Sequence, residues 1–194
     1  MRKLIVISFL TLDGVMQAPG AKDEDPEGGF KYGGWQLPFM EDFDSAMLDD
    51  IGKAGALLLG RKTYDIFAAY WPTTGKSMEW WGEFMNNVTK YVASNTLKKT
   101  EWQNSILLEG DVAKAVTKIK EEAGNNIYMF GSGDLCQTLM RHHLIDEYFL
   151  MIHPLTLGAG KRLFHQDGPK QDFELLKSKT TKSGILELTY KVKS

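Results

Sequence analysis

Ala56-Leu57-Leu58-Leu59-Gly60-Arg61-Lys62-Thr63-Tyr64 decides how this chain is read: an unbroken apolar run stops at a glycine and passes at once into a polar, helix-compatible stretch. The same passage recurs at Ile127-Tyr128-Met129-Phe130-Gly131-Ser132-Gly133-Asp134-Leu135. A strand that ends in glycine lets the backbone come close to an anion. A helix that begins just after it offers unsatisfied N–H groups and the positive end of its dipole. Two such turns can hold one diphosphate between them. Arg61, Lys62 and Thr63 add two cations and a hydroxyl, the set wanted for a nucleotide's phosphates, including an extra ribose phosphate. Gly131, Ser132 and Gly133 add flexible backbone donors, with Asp134 expected as the N-cap of the following helix. Neither turn is a Walker loop or a G-x-G-x-x-G fingerprint, and each also reads as an ordinary strand-to-helix connection.

Working outward, residues 3–10 form a first apolar strand, and a long Gly- and Asp-rich segment, 13–36, follows as a candidate binding loop or a solvated acidic excursion. Phe43, Met47, Ile51 and Ala54 recur at helical spacing from Glu41 to Ala54. The helix after Gly60 must stop at Tyr70-Trp71 because Pro72 follows. Residues 73–88 read as irregular or short-helical, with Trp80, Trp81 and Phe84 packed on the body. Short strands are expected at 90–94 and 105–108. Asp111 caps a helix bearing Val112, Ala115, Val116 and Ile119 on one face and closed by Gly124. A helix at 134–144 and a strand at 147–152 come next. The C-terminus alternates instead, with extended 172–179, a turn at Lys182-Ser183-Gly184, and Leu186, Leu188, Tyr190 and Val192 in the last strand. The expected fold is α/β: a mixed, mostly parallel sheet of about eight strands flanked by helices, with an antiparallel C-terminal hairpin, in a single domain over 1–194.

Composition narrows the function. At 194 residues, 43% hydrophobic and 25% charged, the chain can bury a core without disulfides or metal. A net charge of −2 with dispersed Lys and Arg lacks the footprint of a nucleic-acid binder, so any anion site is local. The lone Cys136, in an apolar helical pattern, excludes an internal disulfide framework and suits a cytoplasmic protein. Met1-Arg2-Lys3 before an apolar stretch imitates a signal peptide, but the stretch is too short to span a membrane, and Asp13-Gly14 follows it. Of the four histidines, His142 and His143 point about 100° apart on a helix, and His153 and His165 lie elsewhere, so no metal site is expected.

The order of motifs resembles the dihydrofolate reductase superfamily. The carriers are Thr11-Leu12-Asp13-Gly14, the turns at Gly60-Arg61-Lys62-Thr63 and Gly131-Ser132-Gly133, and His153-Pro154-Leu155-Thr156-Leu157-Gly158-Ala159-Gly160-Lys161-Arg162-Leu163-Phe164. Within it the chain is most similar to the C-terminal reductase domain of the bifunctional riboflavin-biosynthesis deaminase/reductase and its stand-alone relatives. That resemblance implies NADPH as hydride donor and a small heterocyclic or carbonyl/imine acceptor. Gly60, Arg61, Lys62 and Thr63 would grip the ribose phosphate and diphosphate. Ser94 and Asn95 would lie beside the adenosine, and Gly131, Ser132, Gly133 and Asp134 would face the diphosphate near the nicotinamide. Homodimers formed through sheet edges are also implied.

On the acceptor side, the resemblance places Asp13 at the substrate, whereas the residues alone leave it equally a turn aspartate bonding local N–H groups. True dihydrofolate reductases carry their carboxylate two residues after the proline of a Trp-x-x-Pro segment. In Trp35-Gln36-Leu37-Pro38-Phe39-Met40-Glu41-Asp42 that position holds Met40. Either the alignment slips by a residue, making Glu41 the acid, or the substrate is not a folate. Trp35 and Phe39 complete the expected substrate side. A dihydrofolate reductase proper and a non-catalytic NADP(H)-binding protein are the other two expectations.

Overall fold

The computed structural model describes residues 1–42 and 50–193, without the side chains of 41, 42, 76, 77 and 79. Eight strands form one sheet: β1 (Leu4–Thr11), β2 (Ala56–Gly60), β3 (Lys90–Ala93), β4 (Ser105–Leu107), β5 (Ile127–Phe130), β6 (Glu147–His153), β7 (Phe173–Thr180) and β8 (Leu186–Val192). Their order is β4-β3-β2-β5-β1-β6-β8-β7, parallel from β4 to β6 and antiparallel through β8 and β7. The expected mixed sheet with its C-terminal hairpin is therefore present. The signal-like N-terminus is its central strand: Ile7 pairs with Phe130 on one side and Phe149 on the other.

Four α-helices described over their full length accompany the sheet: α1 (Arg61–Tyr70), α2 (Glu79–Asn87), α3 (Val112–Glu121) and α4 (Gly133–Arg141). Ala56 to Leu59 are fully buried, as a central parallel strand covered on both faces requires. Each such leucine contributes about 1.5–3 kcal/mol relative to exposure. On one face Leu4, Val6 and Leu10 of β1 meet Val116 and Ile119 of α3 and Leu139 of α4. On the other, Ile7 joins Met151 and Ile185, with Phe9, Phe39 and Trp81 against them. Tyr64, Met85, Val92 and Trp102 fill the space over β2 and β3.

Several local expectations are corrected. The N-cap of α4 is Ser132, not Asp134; Asp134 lies in the first turn and makes no cap hydrogen bond. Asp111 does cap α3, accepting from the Lys114 N–H at 2.9 Å, but that helix ends at Glu121 with Glu122 extended, ahead of Gly124. Residues 73–88 are short-helical as expected, a 3-10 turn at Thr74–Ser77 followed by the nine-residue α2. Of the amphipathic helix expected at 41–54, Phe43 and Met47 lie outside the described residues. Residues 50–52 are helical, and 37–42 form a 3-10 turn.

Candidate active site

The C-terminal ends of β1, β2, β3 and β5 open into one cleft of about 1270 Å³. Open α/β sheets bind ligands outside the carboxyl ends of their strands, where the chain changes direction across the sheet. Here the chain leaves β1, builds β2 to β4 on one side, and returns through β5 beside β1. That return makes neighbours of the turns after β2 and β5.

A single hydroxyl joins those turns. Ser132 Oγ accepts the Gly60 N–H at 2.9 Å and lies 3.0 Å from both Thr63 Oγ1 and the Phe130 carbonyl. The geometry needs Ser132 in the left-handed region, φ 56°, right after Gly131 at φ 53°. A Cβ at Gly60 would come within 3.3 Å of Ser132, and one at Gly133 within 3.3 Å of Met16 Sδ, so both glycines are set by close approach. With Ser132 turned toward Gly60, neither α1 nor α4 has a side-chain cap at its N-terminus. Two helix starts thus present free N–H groups to one space, a built anion cradle. Gly60, Arg61, Lys62, Thr63, Ser94, Asn95, Gly131, Ser132, Gly133 and Asp134 all line the cleft. The groups expected to hold a nucleotide's phosphates are therefore gathered together, and uncapped donors are the chemistry a diphosphate needs.

The sequence matches the RibD C-terminal domain over residues 2–186. The chain belongs to the RibD C-terminal domain family. The uncharacterized protein YyaP of Bacillus subtilis is 27% identical over 196 residues, covering 97% of this chain and 94% of YyaP. YwjB of the same organism, also uncharacterized, is 24% identical over 168 residues, with 85% and 84% covered. Among solved structures, a candidate riboflavin biosynthesis protein of Shewanella sp. PV-4 superposes with a TM-score of 0.71 at 21% identity, over 99% of each chain. A pyrimidine reductase-like protein of Corynebacterium diphtheriae gives 0.62 at 13% identity, over 100% of this chain and 92% of that one. Dihydrofolate reductase of Enterococcus faecalis, solved with NADP(H) and RAB-propyl, gives 0.62 at 15%, over 99% and 97%. The fold is dihydrofolate-reductase-like.

In this RibD C-terminal domain the cations beside the turns are already paired. Arg61 donates to Asp65 at 2.6 Å, one helical turn on. Lys62 meets Asp25 at 3.3 Å and also Glu27, and Lys161 meets Asp25 at 2.7 Å and also Glu27. Gln17 fastens the same loop, donating to the carbonyls of Asp25 and Glu27 and accepting the Lys161 N–H. The Lys161 and Lys62 ammonium groups hold the Glu27 carboxyl down at about 2. Burial works against ionisation of Asp25, yet the Lys161 contact keeps its carboxyl below the usual range. Part of the acidic segment expected as a binding loop or a solvated excursion is a wall of the cleft: 16–25 line it.

Asp13, expected either at the substrate or as a turn aspartate bonding local N–H groups, is held by a loop distant in sequence. Its carboxylate accepts from Thr11 Oγ1 at 2.5 Å and from the N–H groups of Leu157 and Gly158 at 3.2 and 2.8 Å, with Arg162 3.8 Å away. Partial burial opposes its charge, but the Thr11, Gly158 and Leu157 donors keep the carboxyl below its ordinary value. It clamps the 11–14 turn to the 157–158 loop and does not line the cleft. The Glu41 side chain lies outside the described residues. Trp35 and Phe39 stand behind the cleft surface, and Gln36 and Met40 line it instead. Trp35 donates its indole N–H to the Gln17 carbonyl at 2.8 Å.

Two buried groups escaped the sequence reading. His153 is wholly buried, with Phe9, Trp35 and Phe39 edge-on to its ring at 6.2, 5.1 and 5.3 Å. Its Nδ1 faces two carbonyls, Met151 at 3.0 Å and Leu10 at 3.3 Å, so it carries the proton, and burial pushes the pKa of the ring down. Lys90, also wholly buried, donates to the Met85 and Asn86 carbonyls at 2.9 and 3.1 Å and sits 4.1 Å over the Trp102 ring. It thereby caps the end of α2, and burial lowers its pKa to about 8. A lysine at a strand start and a histidine before a proline carry no sequence mark of either role.

Proposed function

We propose that this protein is an NADPH-dependent reductase of the riboflavin-pathway pyrimidine reductase group, passing a hydride to a small heterocyclic or carbonyl/imine substrate. The observation that carries the reading is the pair of uncapped helix starts, joined by Ser132 Oγ, at one end of a cleft whose other end is apolar and aromatic. Family membership and the reductase-like neighbours support it.

A bound reduced nicotinamide supplies the hydride. The chain's part is to hold donor and acceptor face to face, which converts an encounter into an intramolecular step. The N–H groups opening α1 and α4 bind the diphosphate, Thr63 and Ser132 keep the two turns in register, and Ser94 and Asn95 border the adenosine end. Lys62 and Arg61 neutralise the ribose phosphate after leaving their carboxylate partners. Ile7, Phe9, Phe67 and Phe130 exclude water from the reacting face. Among the described residues, those bearing carboxyls along the cleft are Asp23, Glu24, Asp25 and Asp134, and solvent water is the proton source proposed here to balance the hydride.

Titration of the purified protein with NADPH and NADH, followed by tryptophan quenching, tests the cofactor. Saturable quenching with NADPH preferred is expected, and Arg61→Ala should narrow that preference. Equal affinity for both nucleotides removes the roles of Arg61 and Lys62. A homodimer is proposed through β7, the sheet edge, where Leu175 and Leu176 are 50% and 48% exposed. Sedimentation equilibrium should give twice the chain mass, and Leu176→Lys half of that. The buried Cys136 thiol, pushed up to about 12 by burial, is kept unreactive and suits a cytoplasmic location.

A further inference from the structure

Lys62 and Lys161 meet on one oxygen. Both ammonium groups contact Glu27 Oε2, and Asp25 bridges them again, its Oδ1 3.3 Å from Lys62 and its Oδ2 2.7 Å from Lys161. Lys62 comes from the first turn of α1 and Lys161 from the loop after β6, and both line the cleft. Like charges repel, so two ammonium groups stay this close only while an anion lies between them. The pair is a ready site for an anion, already filled by the chain itself.

The two carboxylates differ in how firmly they are held. Asp25 has a side chain only 10% exposed and forms part of the cleft wall. The Glu27 side chain is 60% exposed, and among the described residues its carboxylate accepts hydrogen bonds from the two lysines alone. Gln17 donates to the backbone carbonyls of both residues, so the Glu27 carboxylate can turn out to solvent with the loop in place. Exposed ion pairs are weakly held. A phosphate group brings a charge of about −1.5 to −2 and three acceptor oxygens against the single charge of a carboxylate. At Lys62 it also stands beside the N–H groups that open α1, which have no side-chain cap. Both lysines hold Glu27 ionised, so an arriving anion must replace it rather than share the site with a neutral acid.

We propose that Lys62 and Lys161 form a paired-ammonium clamp for a phosphate group of the ligand, with the Glu27 carboxylate as its resting occupant and Asp25 as the fixed counter-charge that keeps the two lysines together. Lys161 thereby joins the phosphate-binding residues. Glu27 becomes a selectivity element: a group with a single charge gains little by replacing it, whereas a phosphate gains both charge and the α1 donors. This deepens the reductase reading and rests on it only for NADPH as the carrier of the phosphate.

Calorimetric titration of the full chain with inorganic pyrophosphate, NADPH and NADH at low, fixed ionic strength tests the clamp. Lys161→Met should weaken pyrophosphate and NADPH about tenfold, the loss of one charge-assisted contact. Lys161→Arg, which keeps the cation, should recover most of that affinity. Glu27→Gln should tighten both ligands roughly twofold to fivefold, a gain that a misfolded variant cannot imitate. NADH weakened as much as NADPH by Lys161→Met puts the diphosphate in the clamp, and NADH spared puts the ribose phosphate there. Saturable NADPH binding with native affinity in Lys161→Met, or a Glu27→Gln variant that binds no more tightly, overturns the clamp and leaves the reductase reading standing. Pyrophosphate binding that depends on Lys161, with no binding of NADPH, keeps the clamp and removes the reductase reading instead.

Discussion

Ser132→Ala is the sharpest probe of the joined turns. The substitution removes the acceptor of the Gly60 N–H and the neighbour of Thr63 Oγ1, while leaving the left-handed backbone in place. A part-buried N–H left without a partner costs about 1–3 kcal/mol, so a loss near 2 kcal/mol is expected. Ser132→Gly loses the same hydrogen bonds but relieves a non-glycine residue at φ 56°, worth about 1–2 kcal/mol, against about 0.5–1 kcal/mol of added chain entropy. The glycine variant should therefore be the more stable of the two by roughly 0.5–1 kcal/mol, and both should fall below the native protein. Urea unfolding gives the order, and NADPH titration gives the functional cost, expected at about tenfold or more because the two sets of N–H donors no longer share one orientation. Stability of Ser132→Ala within about 0.5 kcal/mol of the native protein, or an alanine variant more stable than the glycine one, would refute the reasoning.

Three other expectations follow from the charged and buried groups. Glu27→Gln removes one of the two carboxylates on Lys62 and should tighten NADPH roughly twofold to fivefold at low salt, an effect that fades as ionic strength rises; unchanged affinity at every salt concentration contradicts it. The pKa of His153 is depressed in the fold below its unfolded 6.5, so the unfolded chain binds the extra proton and stability falls as pH drops below about 6.5, by up to about 1.4 kcal/mol per pH unit. His153→Gln, which keeps a donor for the two carbonyls, should flatten that slope between pH 5 and 6.5, and identical slopes would count against the buried neutral ring. Lys90 works in alkali: folded near 8 and unfolded at 10.5, it lets stability rise across that window by up to about 3 kcal/mol, a rise that urea titrations of Lys90→Met should lack.

The parallel sheet is legible from Ala56–Leu59 and Ile127–Phe130 because strands covered on both faces must be apolar throughout, and the glycines mark where each one ends. The hairpin is legible because Leu186 to Val192 alternate. Roles set by partners distant in sequence are not. Asp13 finds Leu157 and Gly158 only after β1 and β6 pair, and Asp25 reaches Lys161 across 136 positions. The same physics misplaced the cap of α4: Asp134 has the right chemistry, but a left-handed Ser132 starts the helix earlier and sends its hydroxyl across to β2. Trp35 and Phe39, expected on the substrate side, stand behind the cleft while their chain neighbours Gln36 and Met40 line it, a difference of one position that a sequence without the fold does not resolve.

The place of β1 in the sheet has a consequence for synthesis. Leu4–Thr11 precedes the other seven strands in the chain, yet its strand partners are β5 and β6, at 127–130 and 147–153. At translation rates of about 5–20 residues per second, its apolar side chains wait on the order of ten seconds for their partners. Leu57–Leu59 can pair with β3 in the meantime, but the middle of the sheet stays open until β6 emerges. A nascent chain stalled before 147 thus exposes a ready-made strand edge along residues 4–10.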